Sequence, residues 1–346
     1  MAATMRRYSR REFLSKFGAT ALALYFSSGC LTQKSEVRTQ KKTSLGVLGV
    51  HPTPALTPNK EFYLTNFNGI PRVDIKDWSL IIDGLVDHPI NLSYEDITSI
   101  PHVSRIVTLI CIGNGIGGGL IGNAEWVGVP LKLLLENAGV KTGAVDVVLY
   151  GAEGYSDSFP IEKALDEDTV LAYKMNGETL HRDHGYPLRA VVPGIYGMKN
   201  VKWVNRIEVV DNDYKGHWEK QGWSDSAVIK LMSRIDAPLD GTMITQTPYI
   251  IAGIAYGGLH GVSKVEVSID RGKSWDVAEI KEPLSRYAWT LWTYRWEPGS
   301  NGRYEISVRA TDKEGNVQKK GNIISRRVFP SGADGIHSIK VDVEDI

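Results

Sequence analysis

Cysteine is scarce in this chain, which has only Cys30 and Cys111 among its 346 residues. At most one disulfide can form, so the chain is not a disulfide scaffold. Iron–sulfur clusters and structural zinc sites built on thiolates need more cysteines than these two, and both are excluded. The motif Cys-X-X-Cys-His is also missing. We therefore expect no c-type haem in this chain.

The chain also lacks an excess of either charge, because 40 Lys and Arg residues balance 40 Asp and Glu residues. Without a basic field nothing holds a nucleic acid by electrostatics, so we expect no nucleic-acid partner. The hydrophobic content of 42% is too high for a disordered chain, and the length predicts two folded domains.

The apolar run near the N-terminus is short. Gly18 to Phe26 provides about half of the roughly 20 residues that a spanning helix needs, and it follows the charged segment 9–17. Both features are typical of an export signal. The pair Arg10-Arg11, followed by Phe13-Leu14, resembles the twin-arginine signal, which exports proteins already folded around their cofactors. We expect residues 1–30 to be this signal and the protein to be periplasmic or otherwise outside the cytoplasmic membrane.

The end of the signal resembles a lipoprotein cleavage box, Ser27-Ser28-Gly29-Cys30. Cys30 would then be the lipid-anchored first residue of the mature chain. The alternative is cleavage nearby, with Cys30 discarded. Residues 31–58 are polar and without periodicity, which indicates a tether or an arm laid along the first domain.

Residues 59–232 are typical of a mixed α+β domain. Strand-like runs at Trp78 to Ile82, Val103 to Ile110 and Val145 to Tyr150 alternate with helical segments. Leu131 to Ala138 is predicted to be a helix because it follows Pro130 and places leucines on one face.

Residues 233–346 are typical of an all-β domain. Alternating apolar residues in Lys264 to Asp270 and in Tyr304 to Ala310 predict half-buried strands, and Arg271-Gly272 supplies a turn. This spacing predicts an immunoglobulin-like antiparallel sandwich. The segment Arg234 to Pro238 is interpreted as a linker at the boundary.

Cys111 lies between a strand-like run and the glycine-rich stretch Gly113 to Gly119, a setting in which backbone can approach a bulky ligand. Three interpretations remain open from the residues alone: a core cysteine, a nucleophile, or a single thiolate ligand to a soft-preferring metal.

Two further motifs indicate anion or metal binding. His184 and Arg189, five residues apart and separated by Gly and Pro, could grip a phosphate, whereas His181 with His184 could form a metal pair. The segment 197–203 offers Lys202 and backbone amides to an anion.

Taken in order, these motifs resemble the sulfite oxidase family of molybdopterin-dependent oxidoreductases. The resemblance extends from about Phe62 to Gln318. The matching elements are Cys111-Ile-Gly-Asn114, Gly122-Asn-Ala-Glu-Trp126, Gly128-Val-Pro-Leu131, Gly154-Tyr155, Leu171-Ala-Tyr-Lys-Met-Asn-Gly177, His184-Gly-Tyr-Pro-Leu-Arg189, Val201-Lys-Trp203, Val265-Glu-Val-Ser-Ile-Asp270 and Arg309-Ala-Thr-Asp312.

The resemblance implies a molybdopterin domain followed by a sandwich domain that often forms a homodimer, and a molybdenum cofactor. Cys111 matches the cysteine whose thiolate ligates molybdenum, and Tyr155 matches the tyrosine near its exchangeable oxygen. The positions implied to hold the pterin and its phosphate are Asn66, Glu153, His184, Arg189, Asn200, Val201 and Lys202.

The substrate pocket departs from the family pattern. Thr65 and Gly115 stand where relatives carry arginines, His260 falls where the sandwich contributes another, and Phe67 replaces a histidine. Trp126 is interpreted as a pocket wall or a core residue. Loss of charge-assisted donors indicates a small substrate less charged than sulfite, or one whose charge is met by protonated His260.

Oxygen-atom transfer is thus the expected reaction, in either direction. Because no segment resembles a haem domain, electrons would be exchanged with a separate partner such as a c-type cytochrome. Two alternatives stay open: a reductase of sulfoxides, including methionine sulfoxide, and a non-enzymatic exported binding protein on the same fold.

Overall fold

Strands dominate the described part of the chain, with 39% of its residues in strands and 11% in helices. The structure is a computed structural model that describes the backbone of residues 6–7 and residues 51–245, 247–321 and 327–344. The twin-arginine pair and Cys30 lie outside the described residues. The expected α+β character is thus found only in part, since helices are few. None of the helices in the described ranges has the length and apolarity that a bilayer crossing requires.

The first half of the chain here means residues up to 231, and the second half begins with residue 232. The described residues contain three short α-helices, all in the first half. α1 begins with a capping box in which Ser93 Oγ accepts from the Asp96 amide. α2 has the predicted bounds, and Leu131, Leu134 and Leu135 on its inner face are fully buried. It ends at Gly139, whose φ of 72° lets the amide reach the Leu135 carbonyl. The helices are α1 Tyr94–Ser99, α2 Leu131–Ala138 and α3 Ile161–Ala164.

Two sheets form the first half. One has the order β1-β3-β2-β11-β6-β7, and the other has the order β10-β8-β5-β4 with β9 beside β8. Their strands are β1 Arg6–Arg7, β2 Ser79–Gly84, β3 Ile90–Ser93, β4 Val103–Ile110, β5 Ile121–Pro130, β6 Asp146–Gly151, β7 Ser156–Pro160, β8 Val170–Met175, β9 Glu178–Thr179, β10 Arg189–Val191 and β11 Val204–Val210.

The second half is a two-sheet sandwich, with orders β12-β14-β18-β17 and β13-β20-β19-β15-β16. Side chains from both sheets, including Ile251, Trp292, Val265 and Val308, share one buried core. The strands are β12 Met232–Ala237, β13 Met243–Ile244, β14 Tyr249–Tyr256, β15 Lys264–Ser268, β16 Asp276–Val277, β17 Glu279–Ile280, β18 Thr290–Trp296, β19 Gly302–Thr311 and β20 His337–Val343.

The predicted linker at Arg234 to Pro238 is wrong for most of its length, because β12 runs through Ala237. Ile235 is buried in the sandwich core, and β12 pairs antiparallel with β14. Burial of Ile235 and pairing with β14, which continues to Ala237 past a register shift, outweigh the turn tendency that Pro238 gives to the segment.

The polar arm before the first domain is hydrogen-bonded where it is described. The Thr57 amide donates to the Asn123 carbonyl at 2.7 Å, and Asn123 Nδ2 donates to the Ala55 carbonyl at 2.8 Å. Trp289 of the second half donates its indole N–H to the same Ala55 carbonyl at 3.2 Å. The end of the arm is therefore bonded to both halves of the chain.

The glycine-rich loop after β4 contacts the second half closely. Gly117 has a φ of 73°, and a Cβ there would lie 2.4 Å from His337 Nε2. Arg234 donates to the Gly118 carbonyl at 2.8 Å. The loop therefore needs glycine partly to let the sandwich approach, in addition to any role toward a ligand.

Asp168 joins the two halves at a second point. Its Oδ1 accepts from Arg105, and its Oδ2 accepts from Arg286 at 2.7 Å and from the Tyr287 hydroxyl at 2.6 Å. Burial alone would raise the pKa of Asp168, but hydrogen bonds from Tyr287 and Arg105 outweigh it and hold the pKa below its usual range.

Asp168→Ala should lower the free energy of unfolding by about 2 kcal/mol, since charge-assisted hydrogen bonds are lost and two arginines lose their partner. Because the folded pKa is depressed, this contribution is present above the ordinary carboxyl pKa of about 4 and is lost below it. Urea denaturation at neutral and acid pH measures both effects. Glu167→Ala, at an exposed neighbour paired only with Lys132, is the control. Equal stability of the two variants at neutral pH would contradict the assignment.

Candidate active site

A cavity of about 200 Å³ opens in the first half of the chain. Residues 65–67 cover it from one side, and the start of the glycine-rich loop at 111–113 forms its floor. The turn after β6 and the segment before β11 supply the polar groups. Trp218 and Trp223 close it with aromatic surface.

Most of the predicted site residues line this cavity, although they come from four separate segments. Cys111 follows β4 and residues 200–202 follow β10, which lie at opposite edges of one sheet, whereas Glu153 and Tyr155 lie between β6 and β7 of the other sheet. The predicted residues that line the cavity are Thr65, Asn66, Cys111, Glu153, Tyr155, Asn200, Val201 and Lys202.

Cys111 directly follows β4, whose last four residues are buried. Its Sγ lines the cavity and accepts a weak hydrogen bond from the Gly113 amide at 3.4 Å. Burial raises the pKa of the thiol, and the Gly113 hydrogen bond only partly opposes this. Because the thiol lines a cavity, a role in the core does not describe it, and a metal ligand or a nucleophile remains.

Tyr155 lines the same cavity from the turn before β7. Its hydroxyl lies 2.6 Å from Asp157 Oδ2 and 3.0 Å from the Met198 carbonyl, and its one proton can serve one acceptor at a time. Burial and the nearby Asp157 carboxylate raise the pKa of Tyr155, so the phenol stays protonated at neutral pH. Its free lone pair can accept a hydrogen bond from a group in the cavity.

Lys202 holds the covering segment in place. Its Nζ donates to the Thr65 carbonyl at 2.9 Å, to Asn66 Oδ1, and to the Asp183 carbonyl at 3.3 Å. Burial, together with the positive charge of Arg189, lowers the pKa of Lys202 to about 7. A bound anion would favour the charged form and raise this pKa.

Glu153 carries an unsatisfied acceptor. Its Oε2 is buried without a hydrogen-bond partner, and burial raises the pKa of the carboxyl to about 7. A buried polar atom without a partner costs free energy unless a ligand or water satisfies it. The cavity is therefore prepared for a ligand that presents a donor beside Glu153.

Asn200 uses its side chain to shape the loop. Its Oδ1 accepts from the Val192 amide at 2.7 Å, and its Nδ2 donates to the Tyr196 carbonyl at 3.1 Å. The neighbouring Val201 carbonyl accepts from the Ala190 amide at 2.8 Å. These bonds fix the segment from which Lys202 projects.

Three predicted residues form a buried stack outside the cavity lining. His184 Nε2 lies 2.8 Å from the Asn59 carbonyl, and Arg189 donates to the His184 carbonyl at 3.0 Å. The Arg189 guanidinium lies 4.8 Å from the ring centroid of Trp126, whose indole donates to the Val107 carbonyl. Trp126 is therefore a core residue, and the His184 and Arg189 side chains are occupied by the protein itself.

The metal pair considered for His181 and His184 is not supported. His184 is buried, whereas the His181 side chain is 69% exposed and lies beside Asp183. Over the residues that the structure describes, no group of three or more His, Cys, Asp or Glu side chains is placed to hold a metal ion.

Gly115 and His260 do not reach the cavity either. Gly115 lines a separate small hollow beside Lys230 and Gln318. His260 is half-exposed in a short turn after β14, and its Nδ1 lies 2.7 Å from Glu314 Oε1. The attraction of that carboxylate holds His260 at the surface, so the suggestion that it meets substrate charge finds no geometric support.

The sequence interpretation missed the aromatic wall and a set of buried charges. The Phe67 ring lies 4.6 Å from that of His217, which lies 4.8 Å from Trp218. Beneath Tyr155, Asp157 and Lys199 form a buried ion pair at 3.0 Å. The close spacing of His217, Trp218 and Trp223 in the sequence could have predicted the aromatic wall. No pattern in the sequence predicts the ion pair.

Comparison with known proteins adds family membership to this geometry. Residues 67–218 match the oxidoreductase molybdopterin binding domain, and residues 225–342 match the Mo-co oxidoreductase dimerisation domain. The chain is 28% identical to the sulfane dehydrogenase SoxCD from Paracoccus pantotrophus. The match has a TM-score of 0.72 and covers 86% of this chain and 85% of that one.

Curated relatives extend the comparison. Mitochondrial sulfite oxidase of Drosophila melanogaster is 34% identical over 83% of this chain and 59% of its own length. A nitrate reductase [NADH] of Phaseolus vulgaris is 30% identical over 78% of this chain and 37% of its own length. The chain thus spans about half the length of these two relatives. A sulfite oxidase of Arabidopsis thaliana is 31% identical over 76% of this chain and 82% of its own length. The chain belongs to the sulfite oxidase family of molybdopterin-dependent oxidoreductases.

Proposed function

We propose that this chain is an exported oxidoreductase that transfers an oxygen atom to or from a small substrate other than sulfite. The observation that carries the proposal is one cavity that brings together the thiol of Cys111 and the hydroxyl of Tyr155 without any arginine in its lining. Electrons are exchanged with a separate redox protein, such as a c-type cytochrome.

The residues present fit the molybdenum cofactor of the family. Cys111 offers a soft sulfur donor, which suits a soft-preferring metal. The unpartnered Glu153 Oε2 suits the N–H donors of a pterin. Lys202 offers a positive charge to the cofactor phosphate, with Asn66 held against it. When bound, this cofactor supplies a metal centre that exchanges an oxygen atom and two electrons.

The protein's own groups then have separable tasks. Cys111 would hold the metal of the bound cofactor through its sulfur, and a thiol must be deprotonated to serve as such a ligand. Tyr155 stays protonated and orients a substrate atom or water through its oxygen. Phe67, Trp218 and Trp223 exclude bulk water and offer apolar contacts.

The chemistry of the walls sets the substrate class. Lys202 is the only cationic side chain in the described lining, and three acceptors already surround its ammonium. A dianion such as sulfite needs several charge-assisted donors, and each is worth about 1.5–3 kcal/mol. A neutral or weakly charged substrate fits better. The aromatic walls favour sulfoxides as a second candidate class, in the reductive direction.

The remaining expectations are part of the proposal. The second half is taken to be an immunoglobulin-like sandwich, and its match to a dimerisation domain favours a homodimer. A non-enzymatic binding role gains no support from a cavity with these groups. Molybdenum analysis of protein from a molybdenum-replete host separates the two cases, since a binding protein without cofactor would contain no metal.

Cys111→Ser should leave the pterin bound but abolish turnover, because a hydroxyl is a poor ligand for this metal. Molybdenum content, pterin fluorescence after release and turnover with artificial electron carriers are the measurements. Cys30→Ser, which removes the other thiol, is the matched control and should retain all three. Full turnover in Cys111→Ser would show that the ligand has been misassigned.

Thr65→Arg should raise kcat/KM for sulfite at least about tenfold, since one charge-assisted hydrogen bond is worth about 1.5–3 kcal/mol. Asn68→Arg adds the same charge at an exposed position outside the lining and should leave kcat/KM for sulfite unchanged. Both are compared with the wild-type protein on sulfite and on neutral sulfoxides. Rapid sulfite turnover by the wild-type protein would overturn the argument from missing arginines.

Export depends on the two arginines of the proposed signal. Replacing Arg10 and Arg11 together with lysine should leave the precursor in the cytoplasm, because the twin-arginine route reads this pair. Cell fractionation followed by immunoblotting detects the shift, and a Lys41→Arg, Lys42→Arg variant in the polar arm is the control. Unchanged export of the double lysine variant would argue for another route.

A further inference from the structure

A cluster of buried charges lies directly behind Tyr155. Lys199 Nζ lies 3.0 Å from Asp157 Oδ1 and 2.9 Å from Glu219 Oε1. The side chains of Asp157, Lys199 and Glu219 are 0%, 2% and 2% exposed. Buried ion pairs rarely stabilise a fold relative to apolar side chains of the same size, so stability alone does not explain this cluster.

The cluster is connected to the cavity at one end. Tyr155 lines the cavity, and its hydroxyl lies 2.6 Å from Asp157 Oδ2. The other oxygen of Asp157 accepts from the Ser158 amide at 2.8 Å and from Lys199. The carboxylate is therefore held with one oxygen toward the phenol and the other toward the ammonium.

The cluster is connected to solvent at the other end. Lys199 Nζ also lies 3.3 Å from Asp225 Oδ1, and the Asp225 side chain is 45% exposed. Asp225 Oδ2 accepts from Lys215 at 2.8 Å, and the Lys215 side chain is 39% exposed. Polar groups within hydrogen-bond distance thus run without a break from the cavity to the surface.

The buried part of the cluster has one negative charge more than it has positive charges. Asp157 and Glu219 face a single ammonium, and Glu219 makes no hydrogen bond of good geometry besides its ion pair. Burial raises the pKa of Asp157 to about 6, with Lys199 opposing and Glu219 adding to the rise. The groups facing Asp157 are Tyr155, Lys199 and Glu219, so the cluster can gain or lose one proton near neutral pH.

We propose that Asp157 exchanges protons with the cavity through the Tyr155 hydroxyl, and that Lys199 and Asp225 pass them between Asp157 and solvent. Tyr155 accepts a proton from a water in the cavity as its own proton moves to Asp157 Oδ2, so the phenol is unchanged overall. The protonated Asp157 carboxyl then turns its O–H toward Lys199. The Lys199 ammonium takes up this proton as it gives one of its own to Asp225, so it stays an ammonium, and Asp225 releases the proton to solvent.

This inference rests on the proposed function, whose chemistry requires such a route. Oxidation of a substrate by water releases two protons and two electrons, and reduction of an oxide consumes two of each. The electrons are exchanged with the one-electron carrier, so the protons must move separately. Among the polar groups of the described cavity lining, Tyr155 is hydrogen-bonded to a carboxylate of the buried cluster, so it links the cavity to that cluster.

Asp157→Asn tests the cavity end of the route. In the oxidative direction Asp157 must be ionised to accept a proton, so wild-type kcat should rise with pH and level off above about pH 6. Asp157→Asn should retain its molybdenum, but its kcat should be about a hundredfold lower. Its kcat should also no longer rise with pH below about pH 6. Asp213→Asn, at an exposed carboxylate that pairs only with Lys215, is the control. A variant with molybdenum and the wild-type pH profile would overturn the proposal.

Asp225→Asn tests the solvent end and does not disturb the buried pair. Its kcat in the oxidative direction should fall and should recover as the concentration of a small buffer base rises, because that base accepts the proton in place of Asp225. Wild-type kcat should be insensitive to buffer. If Asp225→Asn has the same kcat as the wild-type protein and does not respond to buffer, the route would also be overturned.

Infrared titration provides a readout that needs no turnover. Every protein compared carries Glu153→Gln, because burial also raises the pKa of Glu153 to about 7. In that background a buried carboxylic acid C=O band that titrates near pH 6 should be present without further change and with Asp213→Asn, and absent with Asp157→Asn. If the band persists in Asp157→Asn, the titrating proton does not belong to Asp157 and the proposal is overturned. This result does not depend on whether the protein has any oxidase activity. Failure of the proposed function is seen separately, as absence of turnover in the wild-type protein.

Discussion

The site depends on how firmly strand β4 is held. Its last four residues are buried, and it pairs along its full length with β5, which in turn pairs with β8. Cys111 follows immediately, so its sulfur is positioned by a sheet rather than by a mobile loop. The turn that carries Tyr155 is fixed in the same way between β6 and β7. Groups that meet across a cavity need this kind of rigid support.

Local patterns in the sequence were sufficient for much of the fold. Val103 to Ile110 and Leu131 to Ala138 have the predicted bounds, because the spacing of their apolar residues matches the positions that are buried in the structure. The segment at Arg234 was misjudged because its strand pairing depends on β14, which lies further along the chain. Turn residues near a segment's end carry no information about such a partner.

The candidate site was predicted less completely than the fold. Motif resemblance gave the cavity residues, but it could not tell which side chains face inward. His184 is hydrogen-bonded to the Asn59 carbonyl, and the Arg189 guanidinium packs on the Trp126 indole. His260 lies beside Glu314 at the surface. The buried charges at Lys199 escaped notice, because a lysine in a sequence is by default a surface residue.

The contact between the glycine-rich loop and the sandwich bears on how the protein is made. The loop that begins at Cys111 is tied down by Arg234, which lies 116 residues beyond its partner Gly118, and by His337 near the end of the chain. During synthesis these anchors emerge long after the thiol does. The glycine-rich loop is therefore fixed only after β12 and β20 have docked, so the nascent chain passes through a stage in which β4 already holds the thiol while the loop beside it is still free to move.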